Sequence, residues 1–181
     1  AFDSNVVDTI PARAVSLGGA AARWRALRGD DASPWRLAAE ARAEAAAGTV
    51  AYLRAALDLT VERRLPGGLR FAALAAAGES AGEPPPQRWW ALGGWQTVRG
   101  YVAGTRRGDA FWLGRGELRW ERPPYLHPVV FADAGDAGAG GTLRSAGAGV
   151  AFYNGLFRFD AARPLERGGR WKWDSYAVVR F

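Results

Sequence analysis

Strict alternation of polar and apolar side chains is the feature that most constrains the fold of this chain. In segment 53–62 the charged residues occupy even positions and the leucines occupy odd positions. Similar alternation recurs in segments 111–121, 156–162 and 171–181. Because a β-strand turns successive side chains to opposite faces, each segment predicts a strand with one polar and one apolar face.

Turn-forming residues separate the alternating segments. They include Pro66-Gly67-Gly68 and Asn154-Gly155, and the second pair predicts a two-residue hairpin turn. The long connection 78–108 is unusual, since loops of that length commonly have a function. Together these signals predict about nine strands, near residues 13–27, 33–47, 50–64, 68–78, 109–122, 126–135, 143–153, 156–165 and 171–181.

Two of these strands have weaker patterns. Segment 36–47 is rich in alanine and glutamate, which favour a helix, but its charged residues all fall on even positions. That parity favours a strand. In the first strand Val15 and Leu17 share the parity of Arg23 and Arg25, which indicates either a bulge or a misplaced strand.

The composition excludes several classes of protein. The chain has no cysteine, so it has neither disulfides nor a thiolate metal site. It has no run of about 18 apolar residues, which excludes a membrane-spanning helix. The net charge is +6, but arginines alternate with glutamates instead of forming one basic face, so we expect no nucleic-acid partner. The absence of methionine indicates that the chain does not begin at a natural start, and the odd number of about nine strands indicates that the natural protein has further strands before Ala1.

Alternation alone is equally consistent with a soluble antiparallel sheet that has one solvated face. Three features favour a membrane barrel: aromatic residues near strand ends, charges of both signs on the polar parity, and a chain that ends on an aromatic residue within its final strand. A sheet in lipid must close, because its edges have no other partners there. The aromatic residues are Trp24, Trp35, Tyr52, Trp120, Tyr125, Tyr153, Trp171 and Phe181.

Segment 92–101, which reads LGGWQTVRGY, resembles the conserved-loop motif of the BamA-type outer-membrane insertase and transporter superfamily, also called the bacterial surface antigen family. In that family a glycine pair precedes a V-R-G-F/Y tetrapeptide in a long loop that folds back into a barrel. The similarity extends through later strands, is strong from Leu92 onward and is weak before Pro66. The motif residues are Gly93, Gly94, Val98, Arg99, Gly100 and Tyr101.

The resemblance implies roles for further residues. The loop arginine, Arg99, is expected to reach Glu117 and Asp133 on the inner wall. Glu117 also lies on the polar parity of its strand, and a guanidinium can bind a carboxylate through two parallel hydrogen bonds. The last strand resembles the family's terminal assembly signal, with Trp171, Trp173 and Phe181 as its aromatic residues.

Other chemistry has little support in the sequence. His127 is the only histidine, and a lone histidine cannot form a histidine-based metal site. Ser145 has no histidine partner in its sequence context, and the glycines of 138–141 precede neither a lysine nor a helix. We therefore expect no enzyme activity, no cofactor and no metal.

The resulting interpretation is an all-β fold: residues 1–181 form the C-terminal part, about nine strands, of one antiparallel transmembrane β-barrel with a long inward-folded loop. The expected location is the outer membrane of a Gram-negative bacterium, and the expected function is insertion or translocation of other proteins. The expected partners are the lipid bilayer, unfolded outer-membrane or secreted client proteins, and periplasmic accessory proteins. The alternatives are a passive barrel anchor or pore for a fused N-terminal domain, and a soluble all-β binding module.

Overall fold

A computed structural model describes residues 17–29, 33–122 and 125–177. The protein is all-β, and nine of its strands form one antiparallel sheet in the order β1-β2-β3-β4-β7-β8-β9-β10-β11, while β5 and β6 pair separately. The strands are β1 (Leu17–Arg28), β2 (Trp35–Gly48), β3 (Tyr52–Leu65), β4 (Leu69–Gly82), β5 (Trp90–Leu92), β6 (Arg106–Gly108), β7 (Ala110–Trp120), β8 (Leu126–Ala137), β9 (Leu143–Phe152), β10 (Phe157–Pro164) and β11 (Lys172–Ala177).

The two segments on which the strand interpretation most depends, 36–47 and 53–62, are strands, as predicted. β2 pairs with β1 on one side and β3 on the other. Its charges form ion pairs across these ladders, such as Arg42 Nη2 to Asp58 Oδ2 at 2.7 Å. Cross-strand pairing therefore overrides the helix propensity of its alanines.

Strand boundaries differ from the prediction in several places. Residues 13–16 and 178–181 lie outside the described residues, and the register of β1 with β2 is unbroken from Leu17 to Arg28, without a bulge. The predicted end of the fourth strand at Gly78 is wrong, because β4 stays paired with β3 as far as Gly82. The strands β5 and β6, within the long connection, were not predicted.

The predicted two-residue hairpin turn at Asn154-Gly155 is also wrong. A 3-10 turn over Tyr153–Gly155 joins β9 to β10. Two of its residues have left-handed backbones, Tyr153 at φ 49° and Gly155 at φ 91°. Since Phe152 and Phe157 are the last paired residues, the connection has four residues, two more than the Asn-Gly signal indicates.

The sheet is open in the described part of the chain, since β1 and β11 each have a sheet neighbour on one side only. Residues 83–109, which we call the connecting segment, join β4 to β7 and lie against one face, the inner face. Leu92, Val98 and Tyr101 of this segment pack there with Leu113 and Leu143. We call the opposite side the outer face.

Most large side chains of the outer face are exposed, including Trp24 at 59% and Trp173 at 78%. Tyr52 was predicted to belong to the aromatic residues near strand ends that favour a membrane barrel, and for this residue the structure differs. It is buried on the inner face, where its hydroxyl lies 2.6 Å from Glu44 Oε1. Within the described residues, no helix has the length and apolar character needed to cross a membrane.

Candidate functional site: an arginine held by three carboxylates

The connecting segment is shaped by its glycine pair and by one threonine. Gly93 and Gly94 have φ values of 117° and 84°, which side chains other than glycine rarely adopt. Thr97 Oγ1 accepts a hydrogen bond from the Gly93 N–H at 2.8 Å and donates one to the Gly93 carbonyl at 2.9 Å. This tight turn directs the following residues, Val98 and Arg99, toward the inner face.

Arg99 is bound chiefly by Asp133 of β8. Its Nε and Nη2 donate hydrogen bonds of 2.7 Å to the two different oxygens of the Asp133 carboxylate. Its backbone N–H donates a third bond, of 3.1 Å, to the same carboxylate. The guanidinium lies over the ring of Phe131, with its carbon 3.4 Å from the ring centroid. Only 1% of Arg99 is exposed, so this is a buried bidentate pair, the strongest form of arginine–carboxylate contact.

Two further carboxylates lie at the third nitrogen of the guanidinium. Arg99 Nη1 is 3.4 Å from Glu117 Oε2 and 3.4 Å from Asp160 Oδ2. Glu117 and Asp133, the two carboxylates expected from the resemblance, are thus within reach, and Asp133 makes the shorter contacts. Burial alone would lower the pKa of Arg99, but Asp133, Asp160 and Glu117 together outweigh it and raise the pKa above its ordinary value.

The site contains residues that were not singled out from the sequence. Arg158 of β10 bridges Glu117 and Asp160, with contacts of 2.7 and 2.8 Å. Tyr176 of β11 donates a 2.8 Å hydrogen bond to Asp160 Oδ2. All three of Arg158, Asp160 and Tyr176 lie on the polar parity of their strands, so parity was the signal that could have identified them.

A second set of contacts attaches the connecting segment through Tyr101. Its hydroxyl lies 2.8 Å from Glu166 Oε1 and 3.0 Å from the Arg144 carbonyl oxygen, while Lys172 Nζ donates to the Tyr101 carbonyl at 3.0 Å. Burial and the Glu166 carboxylate raise the pKa of the Tyr101 phenol. Gly100, at φ 85°, makes the turn between the two attachment points.

The remaining predicted site residues lie elsewhere. Trp171 directly precedes β11 and Trp173 lies on the outer face of that strand; both are exposed, and Phe181 lies outside the described residues. His127 and Ser145 are both buried on the inner face. They are not neighbours, because Ser145 pairs with Asp133, six residues along β8 from His127.

This arrangement is suited to holding the connecting segment in place, since the carboxylates of Asp133, Glu117 and Asp160 are each already paired with arginine. Neither a profile of a known protein family nor a curated protein sequence matches this chain.

Proposed function

We propose that this chain is part of an outer-membrane β-barrel that takes part in the insertion or translocation of other proteins. The connecting segment lies inside the barrel and stabilises its wall through Arg99. The outer face contacts lipid, and the inner face borders water. Barrel closure needs strands beyond those described here, because an open sheet edge cannot be satisfied in lipid.

The distribution of charge between the two faces carries this proposal. The pairing of the strands shows which charged residues lie on the outer face. In the described residues they occur only at or near strand ends: Arg28, Arg63, Glu79, Asp136, Arg144 and Arg163. Between them lies a band of alanine, leucine, valine and aromatic side chains. A lipid-facing surface has this composition, whereas a solvated sheet face carries charges along its whole length.

Strand length and the inner face are consistent with a membrane wall. Most strands of the sheet have 10 to 14 residues, and about 9–11 tilted residues suffice to cross the hydrocarbon core. The ion pairs lie on the inner face, as in the contacts of Arg23 and Arg25 with Glu40. A polar interior beside an apolar exterior is the pattern of barrels with an aqueous or plugged lumen.

The role in protein insertion or translocation depends on the loop motif. The motif resembles that of the insertase and transporter superfamily, and its arginine contacts the carboxylates that the resemblance implies. A loop with two separate attachments to the wall, at Arg99 and at Tyr101, fits a pore whose interior must be kept in a defined shape.

Membrane location and function need separate tests. For location, the membrane fraction of the producing cells is extracted with detergent, and the chain is run on gels with and without boiling. A folded barrel requires detergent for extraction and migrates faster before boiling. Release into buffer without detergent would instead support the soluble binding module.

For function, the genomic copy is replaced by Arg99→Ala, with Arg107→Ala as a matched control on an exposed arginine of β6. We expect Arg99→Ala to lower the amounts of other outer-membrane or secreted proteins, and Arg107→Ala to leave them unchanged. If a strain that lacks the protein altogether assembles and exports its other proteins normally, the insertion role is wrong and a passive anchor is favoured.

A further inference from the structure

Four arginines lie together at the end of the sheet where β9 begins and β10 ends. Arg144 of β9 and Arg163 of β10 lie on the outer face, and Arg167 and Arg170 lie in the connection between β10 and β11. We call these four residues the arginine patch. All four are exposed, so their guanidinium groups can be reached by a partner outside the protein.

The charge of the arginine patch is not neutralised within the described part of the chain. None of its four arginines forms an ion pair with a carboxylate there. Glu166, which lies in the same connection, accepts a 2.8 Å hydrogen bond from the Tyr101 hydroxyl instead. The patch therefore differs from the inner face, where contacts such as that of Arg42 with Asp58 are ion pairs.

Arg144 and Arg163 are diagonal neighbours on adjacent strands. Arg163 pairs with Ala146, two residues along β9 from Arg144. Diagonal neighbours of this kind are about 7–8 Å apart, which long side chains can bridge. Arg163 Nε donates a 3.0 Å hydrogen bond to the Gly169 carbonyl, and its two terminal nitrogens have no bond within the described residues. Two guanidinium groups at this spacing can share one phosphate group, because each presents N–H donors in a fork that matches phosphate oxygens.

Two tryptophans lie beside these arginines. Trp173 of β11 pairs with Ala161, two residues along β10 from Arg163, and Trp171 directly precedes β11. Both rings are exposed, Trp171 at 57%. Tryptophan is enriched at the level of the lipid headgroups, where its ring meets both acyl chains and water. The patch therefore lies where the apolar band of the outer face ends.

The charged residues at this end follow an oblique line across three strands. Arg144 pairs with Ala134, two residues from Asp136 on β8, and Arg163 pairs with Ala146, two residues from Arg144. The line thus moves about 7 Å along the strands for each step of about 4.8 Å between strands. Strands of membrane barrels tilt by about 35–45°, so a membrane boundary crosses them obliquely.

The boundary at the opposite end of the strands shifts in the same direction. Arg28 of β1 pairs with Leu37 of β2, whereas Arg63 of β3 pairs with Trp35, two residues nearer that end. The apolar band is therefore enclosed by two boundaries that slant alike. On tilted strands, Arg144 and Arg163 lie at a similar depth and can contact the same headgroup layer.

We propose that the arginine patch, with Trp171 and Trp173, binds the phosphate groups of a membrane glycolipid. This inference rests on the proposed function, since only a lipid-facing outer face places the patch beside headgroups. The connecting segment and residues 165–171 are the longest connections between neighbouring strands of the sheet, and both lie at this end. In outer-membrane barrels the longer loops face the outside of the cell. The outer leaflet there consists mainly of a glycolipid with phosphates on its sugars, which makes it the matching partner.

Binding is measured by native mass spectrometry of the chain folded in a non-ionic detergent and titrated with lipid A that carries two phosphates. We expect saturable binding, and binding at least tenfold weaker for the same lipid after removal of its phosphates. Arg144→Gln and Arg163→Gln should each weaken binding of the phosphorylated form about fivefold, and the double variant about 25-fold. The control Arg107→Gln, at an exposed arginine of β6, should bind as the parent does.

A parallel titration with phosphatidylglycerol identifies the source of the phosphate. Weaker binding of this phospholipid than of lipid A supports the glycolipid, whereas equal or tighter binding means that the assigned partner is wrong. Thermal unfolding of each variant without added lipid should match the parent, because the substituted arginines are exposed.

The failure of this inference can be distinguished from that of the proposed function. If the parent is extracted from membranes only by detergent but binds both forms of lipid A equally, the glycolipid site is wrong and the membrane location stands. The same holds if the double variant binds phosphorylated lipid A as tightly as the parent. If the parent is released into buffer without detergent, both proposals are wrong.

Discussion

At the scale of single residues, Arg99 determines how the connecting segment sits on the wall. It is one buried cation among Asp133, Glu117 and Asp160. A buried ion pair adds little net stability by itself, because both ions lose their hydration. Its importance appears when one partner is removed: without the Arg99 side chain, the buried Asp133 keeps only one contact with a cation, the longer one of 3.4 Å to Arg115.

Replacing Arg99 by Ala should lower the free energy of unfolding by roughly 3–5 kcal/mol, because Asp133 is fully buried and loses both short hydrogen bonds. Equilibrium denaturation by urea measures the change. The control Arg107→Ala should stay within about 0.5 kcal/mol of the parent, as surface substitutions usually do. Equal stability of Arg99→Ala and the parent would mean that the pair has no structural role.

Reversing the charge of Glu117 should have a comparable effect. Glu117→Arg places a cation beside Arg99, Arg119 and Arg158, all of which lie within 3.4 Å of the native carboxylate. We expect faster proteolysis of the connecting segment and a loss of stability similar to that of Arg99→Ala. A variant that resists both protease and heat like the parent would contradict the pairing.

At the scale of elements, parity predicted the strands whose charges alternate regularly, such as β3 and β7, and the common face of those charges. It did so because one face of such a strand is polar, and a shift of one residue would exchange the faces. Local sequence signals failed to predict strands, or strand ends, that depend on tertiary contacts. The short β5 and β6 exist only as a pair, and β4 continues past Gly78 because β3 offers it partners up to Tyr52.

The site could be predicted only in part. The motif pointed to Arg99, Glu117 and Asp133. Which carboxylate binds the arginine more closely depends on interatomic distances, and these cannot be read from the sequence. Asp160 and Arg158 come from a strand two places from β8. Their approach depends on Gly147 and Gly149, which let the strands and Phe131 pack closely.

Gly147→Ala tests this close packing. An added Cβ would lie 2.6 Å from Phe131 Cζ and would also meet the Ala161 carbonyl oxygen, so the ring beneath Arg99 has to move. We expect a loss of about 1–3 kcal/mol in unfolding free energy, as in other overpacked positions. The control is Gly116→Ala on β7, where an added Cβ meets nothing within 4 Å.

The control should be neutral or slightly stabilising, by about 0.4–1 kcal/mol, because alanine reduces the freedom of the unfolded chain. Thermal unfolding of the two variants side by side measures the difference. Equal melting temperatures would show that the wall around Phe131 can relax without cost.

At the scale of the whole molecule, the question is what covers the outer face. Its apolar band lies between rows of charges near the two ends of the strands. On β3 this band ends at Arg63 on one side. On the other side it ends near Ala55, because Ala55 pairs with the charged Glu79 of β4. Leu59 lies inside these limits and Leu53 lies outside them, and both are about half exposed, at 48% and 53%.

The most direct measurement of the central claim is therefore the stability of Leu59→Arg and Leu53→Arg, with the chain folded into lipid bilayers and unfolded by urea. If the outer face contacts lipid, Leu59→Arg should cost about 2–4 kcal/mol and Leu53→Arg about 0–1 kcal/mol, because the cost of a charge depends on its depth. If both variants stay within about 0.5 kcal/mol of the parent, as on a solvated surface, the outer face does not lie in a membrane.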